Sequence, residues 1–389
     1  MIKKIIVVFI FGFLIALMFN FISRTHSIRD INYAEIYSQI DGYLKIDKGK
    51  INISVRDNVT YIDYDYAIKE NTDKPLHRKV PFDLSSSDFL IYVYGSSSLV
   101  SKPPFYKGDF PFIPSLLESE LNKLGYKNFK VINFSIPSFD SFDIKELIKA
   151  TVNYKKPDLV ISFDPATMDF ESAYYPFIKK RFYLVTDFLK KFSTFYILSH
   201  PPRLGIINKL AYWFLKACVE PNLINLAQEF RLISLVEEPF IGYNQLILSY
   251  YKNNMHEIIE FTQKRKIPLI ILTAVTNLEA RPYGIYGITD TYYKEGMRQK
   301  DYRKRIAYLT KAKDSEVFTG DLGSKSCAYD FLVNVKEKDV YILDLQKKLT
   351  DAYFEFNYKY FYDYGHMKPA LHKIITGYIL EFLKEYNLI

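Results

Sequence analysis

Two short stretches hold residue types that could do covalent chemistry together. The first is IYVYGSSSLV, residues 91–100, where strand-forming residues run into Gly95 and then Ser96, Ser97 and Ser98. The second is YDYGHMKP, where Asp363 stands three residues before His366. A serine hydroxyl is a weak nucleophile until a base takes its proton, and a histidine base works best when its other ring nitrogen is held by a carboxylate. Asp and His at i and i+3 in a tight turn can form such a pair and leave the second nitrogen for a serine. Each stretch also has a plain reading. Serine and glycine are common turn formers, and Asp-x-x-His ahead of a helix can be an entry turn whose Asp satisfies backbone donors. The residues alone leave Ser96, Ser97 and Ser98 open as nucleophile.

The elements that must position these residues follow a strand and helix alternation. FLIYVY (89–94), FKVINF (129–134), DLVISF (158–163), IPLIILTAV (267–275) and DVYILDL (339–345) are short apolar runs suited to buried parallel strands. PSLLESELNKLG reads as a helix that starts near Pro114 and stops at Gly125. SFDSFDIKELIKATVNY reads as a second helix with acidic residues in its first turn. The closing stretch PALHKIITGYILEFL places Leu371, Ile374, Ile375, Tyr378, Ile379 and Phe382 on one helical face. Residues 171–262 read as a helical insertion or cover, with KLAYWFLKACVE and YNQLILSYYKNNMHEIIEFTQK as helical stretches, and 281–338 read as a polar, basic connection. Five buried strands alternating with helices imply an α/β fold with a parallel sheet covered on both faces, and sites in such sheets form at the carboxyl ends of the strands. The serine run sits at that end of the first strand.

In this order the sequence resembles the SGNH hydrolases, also called the GDSL esterase/lipase superfamily, over about residues 88–170 and 265–389. Gly95-Ser96-Ser97 is similar to the family's first block and nominates Ser97 as nucleophile. Asp363 and His366 match the last block, Asp-x-x-His before the final helix. KVINFSIPSFDS is similar to the second block and KPDLVISFDPATMDF to the third. The resemblance implies a flavodoxin-like three-layer sandwich with a five-stranded parallel sheet. It implies a Ser97–His366–Asp363 triad, and an oxyanion held by the N–H of Ser97, the N–H of Ser135 and the Thr167 hydroxyl. Three positions depart from the family: Ser135 stands where it has glycine, and Pro165 and Thr167 where it has glycine and asparagine. Thr167 offers a shorter, less directed donor than an amide, and loss of one oxyanion donor typically costs about 10²–10³ in rate.

The other polar residues read as structural. His372 lies inside the last helix as a surface or packed side chain; His200 in SHPPR reads as a loop histidine, with a place lining a cleft in the insertion as the alternative; Asp164 and Asp169 read as caps of the element that follows the third strand, with acid/base roles as the alternative. Cys218 and Cys327 lie far apart and form no metal or disulfide pattern; they read as two buried thiols, with a single long-range disulfide as the alternative. No metal-ligand motif, CxxC or phosphate loop occurs, and the implied chemistry needs neither metal nor organic cofactor.

Composition narrows the class. The chain has 389 residues, 49% hydrophobic and 25% charged, enough for a sizeable core. Its 34 Tyr and 31 Phe read as compositional drift. The net charge of +8 is spread among acidic residues without a basic stripe, which argues against a nucleic-acid partner. At the start, Lys3 and Lys4 precede an uncharged run from Ile5 to Ser23 broken by Asn20. That run approaches the roughly 20 residues a membrane-spanning helix needs, and no small-residue cleavage site follows it. The expected layout is a membrane anchor at 1–24, a lead-in segment at 25–87 with a β-hairpin in INISVRDNVTYIDYDY, and an SGNH-hydrolase-like domain at 88–389 with the helical insertion at about 171–262. The expected placement is a single-pass cell-membrane protein with its domain outside the cytoplasm. It would act as an ester hydrolase or O-acyltransferase on an acyl ester, with an acylated envelope glycan or lipid as the substrate suggested by location. The rival expectation is a non-catalytic module of the same fold with an envelope binding or assembly role. Oligomeric state is not legible in the sequence.

Overall fold

The computed structural model describes residues 51–56, 59–64, 77–80, 88–100, 112–125, 127–136, 139–170, 237–280, 288–315 and 325–389. The anchor run, KLAYWFLKACVE, His200 and Cys218 lie outside them. Among the described residues no helix is long and apolar enough to cross a membrane. Apart from the start of one long helix, everything below belongs to one compact unit, Leu44–Phe188 with Gly242–Ile389.

The lead-in carries an antiparallel sheet. β1 (Ile51–Arg56) pairs with β2 (Val59–Tyr64), with Arg56 opposite Val59, and β2 pairs with β3 (His77–Val80). β1 and β2 fall within the stretch INISVRDNVTYIDYDY and pair antiparallel.

The main sheet is parallel. Its strands are β4 (Phe89–Tyr94), β5 (Phe129–Asn133), β6 (Leu159–Phe163), β7 (Leu269–Leu272) and β8 (Val340–Leu343), in the order β5-β4-β6-β7-β8. Numbered along the chain this is 2-1-3-4-5, the flavodoxin-like order, whose reversal point lies between its first and third strands. Here those are β4 and β6, which pair with Val93 opposite Ile161.

Alternation along the strands feeds two layers. Ile91, Val93, Phe129, Ile161, Phe163, Ile270 and Leu272 point into one core. That core is closed by α2 (Ile113–Asn122), through Ile113, Leu117 and Leu121, and by the last helix, α9 (Pro369–Glu385), through Leu371, Ile375, Ile379 and Phe382. The short α1 (Ser97–Val100) adds Leu99. On the other face Tyr92 and Tyr94 lie against α3 (Ser141–Tyr154): Tyr94 Oη and Thr151 Oγ1 are 2.6 Å apart, and Tyr92 Oη donates to the Lys155 carbonyl at 3.0 Å. α4 (Glu237–Lys264) lies on the same side, against α3 and Asp164, and leads into β7. The three-layer α/β architecture implied by the resemblance is therefore present.

Local chemistry explains where the helices begin. Pro114 sits in the first turn of α2, where its missing N–H costs nothing, and Gly125 beyond the helix adopts φ +78°, a conformation that suits glycine. Asp140 caps α3 and forms a reciprocal capping box with Asp143. Pro369 opens α9 directly after the turn that carries His366.

The stretch 281–338, read as a polar connection, contains three helices. They are α5 (Ile288–Arg298), α6 (Tyr302–Ser315) and α7 (Ser326–Val333). α6 buries only Leu309 and Ala312, so its sequence is polar almost all round and shows little apolar period. Between β8 and α9 lies the short α8 (Leu345–Asp351).

Candidate active site

Ser97 opens α1 immediately beyond the carboxyl end of β4. The turn is tight: the Leu99 N–H donates to the Ser96 carbonyl at 3.2 Å. Gly95 makes the turn fit, since a Cβ there would stand 2.7 Å from Leu99 Cδ1 and 3.2 Å from Phe163 Cβ of β6. Ser96 is buried, whereas Ser97 and Ser98 are partly exposed, so burial separates Ser96 from its two neighbours.

The Asp363–His366 turn is closed on itself. The Tyr362 N–H donates to the His366 carbonyl at 2.8 Å, and Phe361 bridges Met367. His366 Nδ1 lies 2.6 Å from Asp363 Oδ2. Asp363 Oδ1 accepts the backbone N–H groups of Gly365 at 2.9 Å and His366 at 2.7 Å. Burial pushes the Asp363 carboxyl upward, but the hydrogen bonds from the His366 ring and from these two N–H groups outweigh it and hold the group below its ordinary range. An ionised carboxylate only accepts, so Nδ1 carries a proton, and in the neutral imidazole Nε2 then presents its lone pair. The entry-turn reading and the pair reading are both realised, one on each carboxylate oxygen.

This turn is anchored at the same edge of the sheet as Ser97. Asn277, beyond the end of β7, donates from Nδ2 to the Asp363 carbonyl at 2.9 Å and from its backbone N–H to the Tyr364 carbonyl at 2.8 Å. β7 is two strands from β4, about 10 Å at ordinary strand spacing. Among the described residues Ser97 Oγ makes no hydrogen bond to His366, so the sheet brings the two to one edge without closing the pair. Catalytic hydrogen bonds are often long in the absence of substrate.

The two oxyanion positions differ in state. Ser135 is buried, and its N–H donates to Asn133 Oδ1 at 2.9 Å, so the amide expected to face an oxyanion is engaged by a side chain. The strand line itself continues, with the Phe134 and Ile136 N–H groups donating to the carbonyls of Val93 and Gly95 at 2.8 and 2.9 Å. Thr167 is partly exposed, in the helical turn that begins at Ala166 beyond β6. Among the described residues its hydroxyl makes no hydrogen bond. The cap of that turn is Asp164, whose Oδ1 accepts the Ala166 N–H at 2.9 Å.

A buried polar network holds this turn from both ends. The Tyr251 hydroxyl of α4 donates to Asp164 Oδ1 at 2.8 Å. Burial, reinforced by Asp164, keeps that phenol well above its ordinary range and therefore protonated. Asp169 accepts from the Ser141 hydroxyl at 2.6 Å and the Ser141 N–H at 3.1 Å. It fastens the turn to the start of α3. Asn254 of α4 donates to Ser141 Oγ at 2.9 Å and accepts from the buried Lys145 at 3.0 Å. Thr167 thus sits between two carboxylates that are themselves tied down.

His372 is a packed side chain, fully buried in α9 and edge-on to Phe112 at 6.0 Å. Burial drives its imidazole down to about 4 against a raising hydrogen bond at Met367, so it is neutral. Cys327 is a partly buried free thiol. Asn277 is the site residue that sequence reading passed over; a polar residue just past a strand's carboxyl end was its only signal.

The fold and site together define an α/β protein of flavodoxin-like sheet order with a serine and an Asp–His pair at the carboxyl edge. No family model matches the chain, and no curated protein matches it. Among solved structures it is similar to a lipase/acylhydrolase from Enterococcus faecalis, at 12% identity over 77% of this chain and 96% of that chain, with a TM-score of 0.37. It is similar to a protein from Desulfitobacterium hafniense provisionally described as lipolytic and of the G-D-S-L family, at 12% identity over 75% and 98%, with a TM-score of 0.36. It is also similar to a catalytic mutant of an acetylxylan esterase from Geobacillus stearothermophilus, at 13% identity over 77% and 94%, with a TM-score of 0.37. The second of these carries in its description the G-D-S-L name of the superfamily that the sequence resembles. Likeness at this level carries no argument about chemistry, which rests on the residues of this chain.

Proposed function

We propose that the chain is an SGNH-type serine enzyme that cleaves or transfers acyl esters. The observation that carries the proposal is the Asp363–His366 pair, in which Nε2 makes no hydrogen bond among the described residues, held at the sheet edge where Ser97 opens α1. Ser97 Oγ attacks the ester carbonyl carbon while His366 Nε2 takes the hydroxyl proton. Asp363 holds the ring and stabilises the imidazolium. Collapse of the tetrahedral intermediate breaks the bond to the leaving alkoxide, which receives the proton from His366. Water or an acceptor hydroxyl then attacks the acyl group, His366 takes its proton, and Ser97 leaves with that proton restored. Water makes the enzyme an esterase, and a sugar hydroxyl makes it an O-acyltransferase.

The developing oxyanion would be met by the Ser97 N–H and the Thr167 hydroxyl. The Ser135 N–H joins them only if it releases Asn133. That engagement favours a second reading, a module that keeps the fold without turnover. Hydrolysis of a small chromogenic acetate by the full-length protein, lost in Ser97→Ala, supports the enzyme; equal rates in the two proteins support the module.

The run Ile5 to Ser23 supports a membrane anchor with the domain outside the cytoplasm, and with it an acylated envelope glycan or lipid as substrate. Extraction of the full-length protein by alkaline carbonate would contradict the anchor.

A further inference from the structure

Asn277 turns its two kinds of donor towards the loop that carries the Asp–His pair and its two acceptors towards its own loop. It is 1% exposed. Its Nδ2 donates to the Asp363 carbonyl at 2.9 Å and its N–H to the Tyr364 carbonyl at 2.8 Å. Its Oδ1 accepts the Glu279 N–H at 3.2 Å, and its own carbonyl accepts the Ala280 N–H at 3.1 Å. A carboxamide is the side chain that offers a donor and an acceptor in this arrangement at this length. The Glu279 N–H also donates to the Phe356 carbonyl at 3.1 Å, so the β7 loop and the segment leading into the turn are joined at two places.

The consequence for Asp363 is specific. Its carboxylate is committed to His366 and to the turn's own N–H groups. Those bonds set the shape of the turn but not its place on the sheet. The Asp363 peptide is fixed relative to β7 through Asn277. Freed of that bond, the peptide can rotate and carry the carboxylate, and with it the imidazole, away from the edge. Displacements of about 1 Å at a reacting group can cost about 10²-fold in rate.

We propose that Asn277 is a positioning residue for the Asp363–His366 pair, locking the turn to the β7 loop so that His366 keeps its proton on Nδ1 and its lone pair at the sheet edge. The effect on turnover rests on the acyl-transfer reading; the effect on the imidazole does not. The test is long-range ¹H–¹⁵N spectroscopy of the histidine rings at alkaline pH in the full-length protein, with the His366 signal assigned by its loss in His366→Gln. Neutral imidazole in water favours the proton on Nε2, so wild type should stand out with the proton on Nδ1. Asn277→Ala should shift His366 towards the Nε2–H form and, in the same preparation, lower kcat on a chromogenic acetate about 10–100-fold with KM within about twofold. Asn277→Asp keeps the volume and the acceptor for Glu279 but removes the donor to Asp363, and should behave alike. It carries the test where Asn277→Ala is not folded. A lower melting temperature with an unchanged Nδ1–H signature and unchanged kcat in the folded variants would overturn the proposal. Wild-type protein without esterase activity would count against the acyl-transfer reading alone, because the tautomer decides the positioning role by itself.

Discussion

His366 Nδ1 stands 2.6 Å from Asp363 Oδ2, while the other oxygen of that carboxylate accepts the N–H groups of Gly365 and His366 itself. One side chain thus shapes the turn with one oxygen and orients the imidazole with the other.

Asp363→Asn separates these roles. The amide keeps an oxygen for the turn but can offer an N–H to Nδ1, which favours the proton on Nε2, where it blocks acceptance from Ser97. We expect kcat to fall about a thousandfold or more with the fold intact. The variant also has a stability signature. A carboxyl lowered in the folded state contributes stability above its unfolded value, and this is lost as pH falls through the folded value. Wild type should therefore lose melting temperature below the ordinary carboxylate range more steeply than Asp363→Asn. Parallel curves would remove Asp363 as the recipient of these bonds.

The parts of this site that were legible in the sequence are local. Asp363 and His366 are three residues apart, and Ser97 follows an apolar run whose burial forces it to be a strand. The inner strands were legible because both of their faces are covered, which leaves almost uninterrupted apolar runs such as those at 89–94 and 159–163. Asn277 was not legible, because its partner Asp363 is 86 residues away and only the fold joins them. The helix α6 was hidden for the opposite reason to the strands: it fully buries only Leu309 and Ala312, and lysines and arginines dilute its apolar period. The engagement of the Ser135 N–H by Asn133 was also beyond sequence reading, since it depends on the backbone path just past β5.

Thr167 now has a sharper test. Asp164 caps its turn, so a capping role no longer competes for the Thr167 hydroxyl. Thr167→Val should lower kcat about 10-fold or more with little change in KM and little change in melting temperature, as for a contact made in the transition state. Thr167→Asn should keep or raise activity. Normal turnover in Thr167→Val would leave the oxyanion to backbone donors.

His372 gives a pH-dependent stability unrelated to catalysis. Its imidazole is held at about 4 against an ordinary 6.5, so on acidification the unfolded chain takes up a proton that the folded chain refuses. Stability is complete above 6.5 and falls through the window down to about 4, by about 3 kcal/mol for a shift of this size. His372→Leu, similar in volume, should remove that part of the decline in urea unfolding measured from neutral pH to pH about 4. An equally steep decline in the variant would show that other groups carry the acid sensitivity.

The most direct test of the central claim is the site of covalent capture. Full-length protein treated with a fluorophosphonate, digested and mapped by mass spectrometry should carry the phosphonyl group on Ser97, with no adduct in Ser97→Ala and a strongly slowed reaction in His366→Ala. Labelling of Ser96 or Ser98 in the wild type, or no specific labelling at all, would contradict the assignment of Ser97 as the nucleophile.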